Sequence, residues 1–164
     1  MNATSTTARK KLSVQSETLY AETLSAIQSK NWSKLENAIN LGTPLYTEIE
    51  KMDNNRYHSM LKSAASAKNG KKATNAFVGL VANGISILLK SSFNSASTIK
   101  KDIVRQGFSE YLVLEPIFSK VDSQQTDTAK QAFRTALASI DDASKYKSIV
   151  GQINGVLDTL VSKV

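Results

Sequence analysis

The run Ala76-Phe77-Val78-Gly79-Leu80-Val81-Ala82-Asn83-Gly84-Ile85-Ser86-Ile87-Leu88-Leu89 has no polar stripe, with only Asn83 and Ser86 interrupting it. A helix that is apolar on nearly every side belongs either in the middle of a bundle or across a membrane. Fourteen helical residues reach about 21 Å, short of a hydrocarbon core of roughly 30 Å. Several other segments carry apolar faces that need a partner, and this run is the natural one. The expectation is an all-α, compact bundle of six to seven helices around a central helix at about 76–90.

With 164 residues, 41% apolar content, seven Gly and two Pro, the chain suits one helical domain over 12–164. Residues 1–11, which include Arg9-Lys10-Lys11, read as a flexible basic arm. No hydrophobic run follows them, so no secretory signal is expected, and a cytoplasmic or virion-associated location is. Cysteine is absent, which removes disulfides, thiolate metal sites and cysteine nucleophiles together.

Helical spacing of Leu19, Tyr20, Leu24 and Ile27 predicts a first helix over about 13–29. Ser33-Lys34-Leu35-Glu36 matches a capping box, with Trp32 before it as a packing staple, and the short helix it opens is expected to stop at Gly42. Thr43-Pro44 then opens a long helix, by cap and first-turn proline, that ends near Asn69-Gly70. Ser97-Thr98 is expected to cap the helix carrying Ile103, Val104, Phe108 and Tyr111, and Glu115-Pro116 to end or kink it. Asp122 to Thr128 reads as loop and cap. Ala129, Phe133, Ala136, Leu137 and Ile140 form one face of the next helix, and a break is placed at Asp141-Asp142.

The last segment has the most regular pattern. Ala143, Tyr146, Val150, Ile153, Leu157, Leu160 and Val164 alternate steps of three and four, a heptad seam. Tyr146, Val150, Ile153, Leu157 and Leu160 are therefore candidates for self-association, or for contact with a protein partner through 143–164. No long internal repeat is evident.

Arrangements for catalysis are missing. The chain has one His and no Cys, and shows neither a phosphate-cradling Gly-Lys loop nor a His-Glu-x-x-His pair. His58 has no sequence neighbour that would make it a base or a ligand, and Asp141 and Asp142 diverge by about 100° on a helix. No catalytic residue, metal site or cofactor is expected, and the chain is read as non-enzymatic.

Charge is the more informative feature. Residues 56–105 carry nine Lys or Arg against one Asp, while the rest of the chain carries twelve against thirteen acids, so the net +7 comes from this third of the sequence. Cations without local acids attract phosphate, and counterion release supplies affinity without sequence preference. The candidate nucleic-acid contacts are Arg56, Lys62, Lys68, Lys71, Lys72, Lys100, Lys101 and Arg105. The leading expectation is a structural or assembly subunit that touches nucleic-acid backbone. A regulatory protein that binds and blocks another protein is the alternative, and a membrane-active helical protein is ranked third. Heavy use of Ser, Asn, Thr and Lys suits a viral, phage or bacterial accessory protein.

Overall fold

A computed structural model describes residues 16–164, so the basic arm expected at 1–11 lies outside the described residues. Those residues form seven helices and no strand: α1 (Ser16–Gln28), α2 (Trp32–Met52), α3 (Tyr57–Ser66), α4 (Gly70–Ser91), α5 (Ser97–Val121), α6 (Ser123–Ala138) and α7 (Ala143–Val161). The chain is all-α, as its periodicities indicate. It forms two compact units, one up to Asn83 and one from Gly84, and the boundary falls inside α4.

In the first unit, α1 packs on α2 and α2 on α3. Tyr20 and Tyr46 stack with ring centroids 6.1 Å apart, and Phe77 of α4 meets Tyr20 edge-on. Thr23 donates its hydroxyl to the Leu19 carbonyl at 2.8 Å, which leaves its oxygen to accept from the Tyr46 hydroxyl at 2.9 Å. A Cβ at Gly79 would collide with the Tyr57 ring, so glycine is what lets α3 lay that ring on α4.

The boundaries of α2 depart from the sequence expectation. Asn31, rather than Ser33, caps this helix, accepting from the Lys34 amide at 3.0 Å. The helix runs through Gly42 and Pro44 instead of stopping at one and restarting at the other. No glycine among the described residues has a positive φ, and Gly42 serves packing: a Cβ there would run into the Tyr46 ring. Pro44 is exposed and deprives only the exposed Asn40 carbonyl of an amide partner, a group that water can reach. The break comes later, at Asp53-Asn54-Asn55, where Asn54 takes φ 47. Asn55 accepts from the Tyr57 amide at 3.0 Å, and the Glu50 carboxylate binds the Ser59 amide at 2.8 Å and hydroxyl at 2.7 Å. Three turn-forming side chains in succession outweigh the apolar spacing that made 44–68 look like one helix.

Gly70 starts α4 rather than ending α3, and Asn69 caps it through the Lys72 amide at 3.0 Å. The apolar run is buried as expected: Ala76, Phe77, Val78, Leu80, Val81, Ile85 and Leu89 are all fully enclosed. By length and composition α4 would suffice to cross a membrane, and 72% of its apolar window is buried inside the fold.

In the second unit, α6 packs on α5 and α7 on α6. Phe108, Tyr111, Phe118 and Phe133 form an aromatic cluster with centroid separations of 5.4–6.2 Å. Here α5 continues through Pro116 to Val121. As at Pro44, the proline is exposed and frees only the carbonyl of an exposed residue, Leu112. Ser97 does not cap α5; its hydroxyl donates to Asp141 at 2.6 Å. The stretch expected as a loop, 122–128, is the start of α6, capped by Asp122 through the Gln125 amide at 2.9 Å. The break at Asp141-Asp142 is present, and Asp142 caps α7 through the Lys145 amide at 2.9 Å.

The heptad seam is a core face, which corrects its reading as a self-association surface. Tyr146, Val150, Ile153, Leu157 and Leu160 are each no more than 1% exposed, so they present nothing to a second copy. A seam pattern reports that a helix face is apolar, not whether its partner is in the same chain.

Candidate nucleic-acid interface

The expected contacts divide between the units. Arg56, Lys62, Lys68, Lys71 and Lys72 belong to the first; Lys100, Lys101 and Arg105 belong to the second. All are exposed except Lys100. Its side chain folds inward with Nζ 5.4 Å from the centre of the Tyr146 ring, leaving the residue 8% exposed. Lys100 is therefore corrected from a phosphate contact to a core-edge cation held by an aromatic face. Arg105 lies 3.9 Å from Asp102, the one acid of the basic segment, and Lys101 is exposed beside them on α5.

The first-unit cations are placed differently. None of Arg56, Lys62, Lys68, Lys71 and Lys72 forms an ion pair among the described residues. Arg56 precedes α3 and Lys72 lies in the first turn of α4, and both line a concavity of about 580 Å³ between these helices. Ser59, Ser63, Asn69 and Asn75 supply its polar lining and Met60, Ala64 and Ala67 its apolar one; no carboxylate is among the lining residues, though Glu50 holds the amide and hydroxyl of Ser59. A groove lined by cations, hydroxyls and amides can hold phosphate oxygens by charge and by hydrogen bonds at once. Lys62 lines a separate hollow of about 180 Å³ with Glu36, whose charge offsets its own.

His58 is next to this surface in sequence but not part of it. It is 6% exposed and packs edge-on to Tyr46, with centroids 5.8 Å apart. Burial holds its pKa below the usual histidine value, against the pull of the nearby Glu50 carboxylate. Glu50 itself stays below the ordinary carboxylate range: burial works to raise it, and the two bonds from Ser59 outweigh that. Burial also pushes Tyr46 up to about 12. Among the described residues no cluster of His, Asp and Glu gathers that would hold a metal ion.

Sequence reasoning missed Lys30 and Lys34, which lie far from the basic segment. Both are exposed and without an ion pair among the described residues. Their signal was present as a short pattern, Lys30-Asn31-x-x-Lys34, which recurs as Lys68-Asn69-x-x-Lys72. Comparison with protein-family models, curated proteins and solved structures finds no match to this chain.

Proposed function

We propose that this chain is a non-enzymatic structural or assembly subunit that holds the phosphate backbone of nucleic acid on its first unit. The observation that carries the reading is the groove between α3 and α4, where Arg56 and Lys72, without an ion pair among the described residues, stand over serine and asparagine side chains, and the nearby Glu50 carboxylate is taken up by Ser59. Groups of this kind contact phosphate and sugar, which set position and affinity but do not read bases. Binding is therefore expected to be tolerant of sequence and steeply dependent on salt.

Titrating the protein into labelled oligonucleotides of unrelated sequence, at several salt concentrations, tests this. The reading requires affinities within a few-fold of one another and a linear fall of log affinity with log salt. Strong preference for one sequence, or the absence of binding at low salt, would refute it.

A further inference from the structure

The two corners of the first unit that join α1 to α2 and α3 to α4 are built alike. In each, a lysine takes a left-handed backbone with φ 53: Lys30 in one, Lys68 in the other. The lysine amide donates three residues back, Lys30 to Ile27 at 3.1 Å and Lys68 to Ala65 at 3.0 Å. The next amide donates five back, Asn31 to Ala26 at 3.0 Å and Asn69 to Ala64 at 2.9 Å. That is the paired bonding of a Schellman helix end. The same asparagine then caps the following helix through the amide of a second lysine, Lys34 or Lys72, at 3.0 Å in both corners.

The corners also meet. Trp32, the first residue of α2, reaches Gly70, the first of α4: a Cβ on that glycine would sit 3.9 Å from the edge of the indole. Two short stretches distant in sequence therefore come together through Trp32 and Gly70, and between them they carry Lys30, Lys34, Lys68, Lys71 and Lys72. All five are exposed and free of ion pairs among the described residues. Glu36, the nearest carboxylate in either stretch, lines the separate hollow with Lys62.

The choice of residues at these corners favours charge over local stability. The left-handed position is easiest for glycine, and both corners place lysine there. Asparagine and aspartate cap helices about equally well, and aspartate would add favourable charge at the helix start. Both corners use the neutral side chain, so the bonds of the cap are made without cancelling the lysines. Lys72 and Asn69 also line the groove toward Arg56, so the cationic surface continues from one feature into the other.

We infer that the twin corners are a phosphate-binding surface that extends the groove, so that a nucleic-acid backbone runs from Arg56 past Lys72 and on to Lys30 and Lys34. This rests on the function proposed above and gives the backbone a path that the basic segment alone does not contain. An anionic membrane fits the surface less well. Among the described residues the exposed large apolar side chains are Leu41, Met60, Leu112 and Val121; of these only Met60 lines the groove, and the corners themselves offer only the half-buried Trp32, a small apolar surface for a bilayer.

The test uses the full chain with two variants and a control, read by anisotropy with mixed-sequence oligonucleotides and by flotation with phosphatidylserine vesicles. Lys30→Gln with Lys34→Gln leaves the backbone cap intact, because the Lys34 amide rather than its side chain makes it. Asn31→Asp with Asn69→Asp keeps both caps and adds two negative charges. Each variant is expected to keep or raise the melting temperature while affinity at about 0.1 M salt falls roughly tenfold or more, similarly for unrelated sequences. The Lys pair should also lower the salt slope by about two. The control, Lys120→Gln with Lys145→Gln in the second unit, is expected to change affinity far less.

If Arg56→Gln with Lys72→Gln weakens binding and neither corner variant does, the corners are overturned and the groove stands. No salt-sensitive binding by the parent chain overturns both. Equal losses in the control mean attraction by net charge alone, and vesicle binding that oligonucleotides do not compete away means a membrane surface; either result overturns the path.

Discussion

The two units carry the same formal charge and tie it down to different degrees. Among the described residues the first has eight Lys and Arg against six acids, and the second ten against eight. Among the described residues of the first, only Lys51 forms an ion pair, with Glu48. In the second, Arg105 lies by Asp102, Lys130 bridges Glu115 and Asp127, and Lys163 holds Asp122. Lys100 and Lys147 there lie over the rings of Tyr146 and Phe93. The caps differ in the same sense. The first unit uses Asn31 and Asn69, the second Asp122 and Asp142. A count of charges along a sequence thus says little about available charge, which depends on what each cation touches after folding.

Both units should depend on their apolar cores, and this is where the largest effects are expected. Phe133→Ala in the second and Phe77→Ala in the first should each cost about 3–5 kcal/mol, and Ile153→Ala or Leu157→Ala about 2–5 kcal/mol. Chemical denaturation of the variants checks these values. Sedimentation over a concentration series should show no change in association for the two α7 variants, since that face is internal. A loss of association would restore the seam as an outward surface.

A smaller effect separates packing from backbone geometry at Gly42. Alanine is the better helix former by about 1 kcal/mol, yet Gly42→Ala should destabilise by about 1–3 kcal/mol, because the new methyl meets the Tyr46 ring. In a Tyr46→Val background the same change should be neutral or stabilising. A double-mutant cycle read by thermal melts checks the coupling.

Acid should act in two windows. The folded pKa of His58 lies below its ordinary value near 6.5, so its contribution is fully present above about pH 6.5 and falls as pH drops toward the folded value. His58→Leu should flatten that part of the profile. Asp122 is also held low, first by the Gln125 amide and then by Lys163, so its contribution is present above its ordinary value of 3.8 and is lost as pH falls below that. Asp122→Asn should shrink the lower step, to which the lowered Glu50 of the first unit also contributes, and leave the upper one. Melting curves from pH 8 to 3 would show both.

What was legible in the sequence followed from apolar spacing. The buried run of α4, the faces of α1, α6 and α7 and the break at Asp141-Asp142 all came from residues whose local preference and tertiary environment agree. The prolines misled because a proline stops a helix only where the freed carbonyl lacks another partner. At Pro44 and Pro116 that carbonyl belongs to an exposed residue. Gly42 misled because a small residue can serve a neighbouring ring as well as a left-handed turn. For the candidate surface, Arg56, Lys68, Lys71 and Lys72 stood out by local charge, while Lys30 and Lys34 did not. Their place beside the others depends on Trp32 meeting Gly70, a contact between distant segments. Lys100 stood out by the same charge criterion, but its side chain is held by the Tyr146 ring.

The difference between the units is tested most directly by neutralising two cations in each and comparing salt dependence. Lys71→Gln with Lys72→Gln should lower the magnitude of the log-affinity against log-salt slope by about two for any oligonucleotide sequence. Lys101→Gln with Arg105→Gln, which removes the same formal charge from the second unit, should lower it by well under one. Equal slopes for the two variants would contradict the account, because binding would then follow the chain's net charge rather than the groove and corner lysines of its first unit.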